Sequence, residues 1–148
     1  MPLVIIDDCP LNLAILKRLA SSKGARDVLA FSDPLKALAH LSTASAEVII
    51  VDHSMEGLDG VELVRRLRAD GPNQNTPIVM VTGSEDPEVP TLAAWAGAQG
   101  VLVKPIDVAQ FKRVLSGLLT NGGWPYVDRR QTDGAPPDEE GDRRTARP

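Results

Sequence analysis

The sequence predicts an α/β fold built on a parallel sheet with helices on both faces, and three observations carry that prediction. Short apolar runs alternate along the chain with segments of helical period, the runs are continuous in apolar character, and carboxylate, hydroxyl and ammonium side chains stand directly after them. A strand with one wet face alternates apolar and polar residues, whereas a strand covered on both faces reads as an unbroken β-branched run. The order β-α-β-α-β-α-β-α-β is that of parallel strands joined by crossover helices.

The first strand is Leu3-Val4-Ile5-Ile6, and after Pro10 a helix places Leu13, Leu16 and Ala20 on one face. Val28-Leu29-Ala30-Phe31 is a weaker run and is expected at an edge of the sheet. Asp33-Pro34 is a good helix start, because proline suits the first helical position, and Leu35, Leu38 and Leu41 follow. Val48-Ile49-Ile50-Val51 is the third strand; Asp59-Gly60 then leads into Val61, Val64, Leu67 and Arg68. The fourth strand is Ile78-Val79-Met80-Val81. Pro87 and Pro90 lie close together, and a proline deep in a helix forfeits a backbone donor, so a short helix is expected from near Pro90 to Gly97. Val101-Leu102-Val103 is the fifth strand, and Asp107 is placed to cap a last helix through Val108, Phe111, Val114, Leu115 and Leu118. Met80 and Phe31 read as core; His40 and His53 read as surface.

At 148 residues the chain has room for one full core. Aromatics make up only 3% of it, so aliphatic side chains must fill the interior. A formal net charge of −4 and the lack of a basic patch argue against direct DNA binding. No apolar stretch approaches the roughly 18–20 residues that cross a bilayer, and no basic segment precedes an apolar one at the N-terminus. Cys9 is the single cysteine, which suits a reducing compartment, and the cytoplasm is the expected location. Residues 1–120 are read as one domain. The last 28 residues hold four Gly and four Pro but no Leu, Ile, Met or Phe, so 121–148 is read as a disordered tail, with Trp124-Pro125-Tyr126 able to dock weakly.

In open α/β sheets ligands bind at the carboxyl ends of the strands. Here Asp7 and Asp8 follow the first strand, Asp52 the third, Thr82 the fourth and Lys104 the fifth. Parallel strands would bring all five to one rim. Carboxylates held together repel unless a cation neutralises them, and a small, hard, oxygen-seeking ion such as Mg²⁺ suits the set. The lysine and the hydroxyl would complete a site for a phosphoryl group, neutralising charge on its oxygens and donating a hydrogen bond.

The same residues, with Val51-Asp52-His53-Ser54-Met55, Asp59-Gly60, Val81-Thr82-Gly83, Ala96-Gly97-Ala98 and Val103-Lys104-Pro105, resemble the receiver domain of bacterial two-component response regulators over residues 1 to about 120. The resemblance implies a flavodoxin-like (βα)5 fold with sheet order 2-1-3-4-5. It implies that Asp52 accepts a phosphoryl group from a histidine kinase or histidine phosphotransfer protein. Asp8, Asp52 and the Ser54 carbonyl would hold Mg²⁺ directly, with Asp7 acting through water; Lys104 would pair with the phosphoryl group; the Lys104–Pro105 bond would be cis. Catalysis would be limited to self-phosphorylation from small donors and autodephosphorylation, and signalling would pass to a downstream protein through the face made by the helix bearing Trp95, the strand holding Val101 and the helix over 107–119.

Three positions depart from the family pattern. Glu56 stands where proline is usual and is expected to loosen the loop after Asp52; Gly83 replaces the commoner alanine; Val101 occupies the place of the usual Tyr or Phe. With no aromatic at Val101, the loop after Thr82 and the helix bearing Trp95 are expected to carry the signal. Other readings are a receiver fold used as a phosphorylation-independent docking module, and the regulatory fragment of a larger regulator. A phosphatase of the haloacid-dehalogenase type would need Asp-x-Asp after the first strand, where Cys9 breaks the pattern.

Overall fold

A computed structural model describes residues 1–22 and 27–121. The elements are β1 (Leu3–Ile6), α1 (Pro10–Ser21), β2 (Val28–Phe31), α2 (Pro34–Leu41), β3 (Val48–Asp52), α3 (Gly60–Ala69), β4 (Ile78–Thr82), α4 (Glu88–Ala96), β5 (Gly100–Val103) and α5 (Val108–Asn121). All five strands are parallel, in the order β2-β1-β3-β4-β5. The tail reading from 122 onward, with Trp124 and Tyr126, lies outside the described residues.

Alternate strand residues feed two separate cores. Val4, Ile6, Ile49, Val51, Ile78 and Met80 pack with residues of α2, α3 and α4 on one face. Leu3, Ile5, Val48, Ile50, Val79 and Val81 pack with α1 and α5 on the other. That is why β1, β3 and β4 are apolar at nearly every position: neither side of the central strands meets water. β2 is only half-buried along its length, as an edge strand is.

Aspartates start three of the helices. Asp33 accepts from the Leu35 N–H, Asp59 from Glu62 and Asp107 from Gln110, each satisfying a first-turn donor. Three expectations need correcting. α4 begins at Glu88 rather than Pro90. Pro90 sits in its first turn, where backbone N–H groups have no intrahelical partner, so the missing donor costs little there. Leu35 is 52% exposed, because the buried stripe of α2 is set by Ala37 and Leu41, and Leu35 lies two residues away around the helix. His40 is half-buried against the Phe31 ring, with centroids 5.4 Å apart.

At the end of the sheet remote from the strand-end carboxylates, Asn73 ties two loops together. Its Oδ1 accepts from the Ala46 N–H and the Thr76 hydroxyl, and its Nδ2 donates to the carbonyls of Leu41 and Ala44. The residue is 1% exposed, so no water can replace those bonds if the amide is removed. Asn73→Ala is expected to cost about 2–4 kcal/mol, the range for stranding several buried polar groups. Urea unfolding should show a lower midpoint with an unchanged slope.

Candidate functional site

The parallel order brings the carboxyl ends of β1, β3, β4 and β5 to one edge, and the predicted residues stand there. Carboxylate oxygens of Asp7, Asp8 and Asp52 all lie within 4.8 Å of one another. Asp7 is fully buried and Asp52 is 5% exposed, whereas Asp8 faces solvent. Asp7 Oδ1 accepts from the Cys9 N–H at 2.9 Å, while its buried Oδ2 has no hydrogen-bond partner. Lys104 Nζ reaches across from β5, 2.8 Å from Asp52 Oδ1 and 3.7 Å from Asp7 Oδ2. The Lys104–Pro105 peptide is cis.

These contacts set the titration of the site. Burial pushes the Asp7 carboxyl above its ordinary range, with the Asp52 and Asp8 charges adding to that and the Cys9 N–H and Lys104 opposing it. Burial works against the Lys104 ammonium, but the hydrogen bond and charge of Asp52, with Asp7 behind them, hold its pKa above the usual lysine value. Three carboxylates face one ammonium, so the cluster carries excess negative charge.

The loop after β3 is fastened rather than loosened. Met55 and Leu58 are buried in the core against α2 and α3, and the Glu56 N–H donates to Asp8 Oδ2 at 3.1 Å. A proline at that position would have no proton to give. The loop closes where the Gly60 N–H meets the His53 carbonyl at 2.8 Å. A Cβ on Gly60 would fall onto the Asp52 carbonyl and stand 3.1 Å from His53 Cα. Gly60→Ala is therefore expected to displace the end of β3 and destabilise the fold by roughly 1–3 kcal/mol. Thermal melts should register that loss.

Thr82, 1% exposed, ends β4, and the Lys104 N–H donates to its carbonyl at 2.7 Å. Its hydroxyl oxygen accepts from the Ser84 N–H at 3.0 Å and lies 3.1 Å from His53 Nδ1. His53 is half-buried, contrary to the exposed loop position expected of it. The cause is register: Asp52 pairs with Val81, so the next residues, His53 and Thr82, fall side by side. No motif in the sequence signals that contact.

Other predicted residues lie around this cluster. Ser54 is exposed two residues beyond Asp52, and Pro105 is exposed after Lys104. Trp95 is 59% exposed on α4, and Val101 is half-buried on β5. Chemically, the acidic set fits a hard divalent cation: the orphaned Asp7 Oδ2 is a buried anionic acceptor without a donor, which metal-bound water or the metal itself would satisfy. Asp52 offers a carboxylate oxygen beside an ammonium that can neutralise incoming charge.

The family model described as "Response regulator receiver domain" matches residues 3–116. The chemotaxis protein CheY-3 of Vibrio cholerae is 31% identical over 119 residues, which cover 80% of this chain and 92% of that protein. The cyclic di-GMP phosphodiesterase response regulator RpfG of Xanthomonas campestris is 31% identical over 118 residues, covering 79% of this chain but 31% of that protein. Among solved structures, Vibrio cholerae CheY4 superposes with a TM-score of 0.71 at 29% identity, over 78% of this chain and 95% of that one. The Francisella response regulator 1452 receiver domain gives 0.74 at 24% identity, over 82% and 98%.

Proposed function

Because the chain belongs to the response regulator receiver family, we propose that Asp52 is its phosphoacceptor and that Mg²⁺, held by Asp8, Asp52 and the Ser54 carbonyl with Asp7 acting through water, is needed for the transfer. The observation that carries this reading is the meeting of three carboxylates with Lys104, whose Nζ lies 2.8 Å from Asp52 Oδ1. Bound there, the cation would offset negative charge on the phosphoryl oxygens.

The transfer balances simply. An Asp52 oxygen bonds to phosphorus as the bond from phosphorus to the donor's histidine nitrogen breaks, and the imidazole departs with that electron pair. Lys104 exchanges its carboxylate contact for the phosphoryl oxygens, and the Thr82 hydroxyl donates a hydrogen bond to another of them. The donor is a histidine kinase or histidine phosphotransfer protein. A cavity of about 560 Å³ beside Lys104, lined in part by Asn12, Ile15, Pro105, Ile106 and Val108, offers an apolar seat for it.

Output passes to a protein target through the α4-β5-α5 face. Support comes from the large apolar side chains these elements leave exposed: Leu92 and Trp95 on α4, Val103 on β5 and Val108 on α5. Thr82, drawn toward the phosphoryl group, pulls Gly83, Ser84 and the proline-containing loop leading into α4. The work is signalling in the cytoplasm, without direct DNA contact; no helix among the described residues is long and apolar enough to cross a membrane. Acetyl phosphate with Mg²⁺ should add one phosphoryl mass to the intact protein, and a chelator should prevent it. An unchanged mass under both conditions would sink the assignment.

A further inference from the structure

Thr82 has one hydroxyl proton to give and is 1% exposed, so water is not at hand to receive it. A buried hydroxyl satisfies its proton as well as its lone pairs. The Ser84 N–H, 3.0 Å away, can only donate and therefore occupies a lone pair of the oxygen. Among the described residues, the acceptor placed to take the proton is His53 Nδ1 at 3.1 Å. A neutral imidazole protonated on Nε2 offers Nδ1 as that acceptor. The ring cannot drift from this position easily. It is half-buried, and its backbone is pinned on both sides, the N–H to the Val81 carbonyl and the carbonyl to the Gly60 N–H, each at 2.8 Å.

We propose that His53 is a positioning residue of the switch: it accepts the Thr82 hydroxyl proton before phosphorylation, so a phosphoryl group must compete with it for that proton. This rests on the reading of Thr82 as the hydroxyl that bonds the phosphoryl group. No covalent bond changes; the hydroxyl keeps its proton and exchanges one acceptor for another. His53 thereby raises the threshold for capture of Thr82. Removing its acceptor leaves a buried hydroxyl proton unsatisfied until the phosphoryl oxygens arrive, which favours the phosphoryl-bound state.

The test is calorimetric titration of the full chain with beryllofluoride, a stable phosphoryl mimic, in Mg²⁺ buffer. His53→Phe keeps a ring and removes the acceptor; His53→Asn places Oδ1 where Nδ1 stood. His53→Phe should bind roughly two- to tenfold more tightly than wild type, the factor that one net hydrogen bond represents. His53→Asn should return toward wild-type affinity. In a Thr82→Ala background all three versions at position 53 should bind alike. If melts show that His53→Phe is unfolded, His53→Ala replaces it with the same expectation. Unchanged affinity on loss of the acceptor, a gain that His53→Asn does not reverse, or a gain that survives Thr82→Ala would each overturn the proposal. Failure of wild type itself to bind beryllofluoride would instead remove the phosphoacceptor reading, and this inference with it.

Discussion

Asp52→Asn is expected to abolish phosphoryl uptake, with no mass gain under conditions that label the wild type fully. Of the three clustered carboxylates, Asp52 alone is hydrogen-bonded to Lys104, so only there does a nucleophilic oxygen lie beside an ammonium able to neutralise the incoming group. Asp7 is fully buried with Oδ1 engaged by the Cys9 N–H, and a donor cannot reach it. Asp8 is exposed, and its Oδ2 is engaged by the Glu56 N–H. An amide is a poor nucleophile, yet its oxygen can still accept from Lys104, so the fold should survive the change. Intact mass after acetyl phosphate treatment separates the outcomes. Undiminished labelling of the variant would place the acceptor elsewhere.

Asp7→Asn should act with opposite signs on metal binding and on stability. In the metal-free protein the Asp7 carboxylate is buried with an orphaned oxygen and two carboxylate neighbours. Removing its charge is expected to stabilise that form by on the order of 1–3 kcal/mol, the usual cost of a buried polar group without a partner. The sign with pH follows from the raised pKa. The folded state holds the Asp7 proton more tightly than the unfolded state, where its value is near 3.8. The destabilisation is therefore fully present above the folded pKa and relieved as pH falls through it. Metal-free wild type should approach the variant in stability on acidification through that window, as read by urea unfolding in a chelator. Added Mg²⁺ should then raise the wild-type midpoint, since a ligand bound only by the native state stabilises it by mass action. The variant should gain much less. A metal response equal to wild type would exclude Asp7 from holding the cation, even through water.

The fold class was legible because burial on both faces leaves a local mark. Leu3–Ile6, Val48–Val51 and Ile78–Val81 read as continuous apolar runs, and each proved to divide its side chains between two cores. Helix starts were legible at Asp33, Asp59 and Asp107 because a cap is a bond between near neighbours in sequence. The start of α4 was misplaced because a proline's cost depends on its position in the turn, and Pro90 fell within the first one. Parallel topology carries residues after each strand to one edge, so Asp7, Asp8, Asp52 and Lys104 could be gathered from their order alone.

Sequence by itself thus determined what each element is made of and which chemistry reaches the rim, since both follow from composition and spacing within short segments. Tertiary structure decided the partners. The neighbour of Thr82 is His53 because the register of β3 on β4 sets them side by side, and no local pattern encodes register. Glu56 fastens its loop to Asp8 through a backbone N–H, and Asn73 joins four groups from 27 to 32 residues upstream and 3 downstream. Such bonds join groups whose separation along the chain carries no periodic signal. Their geometry exists only once the sheet has closed around them.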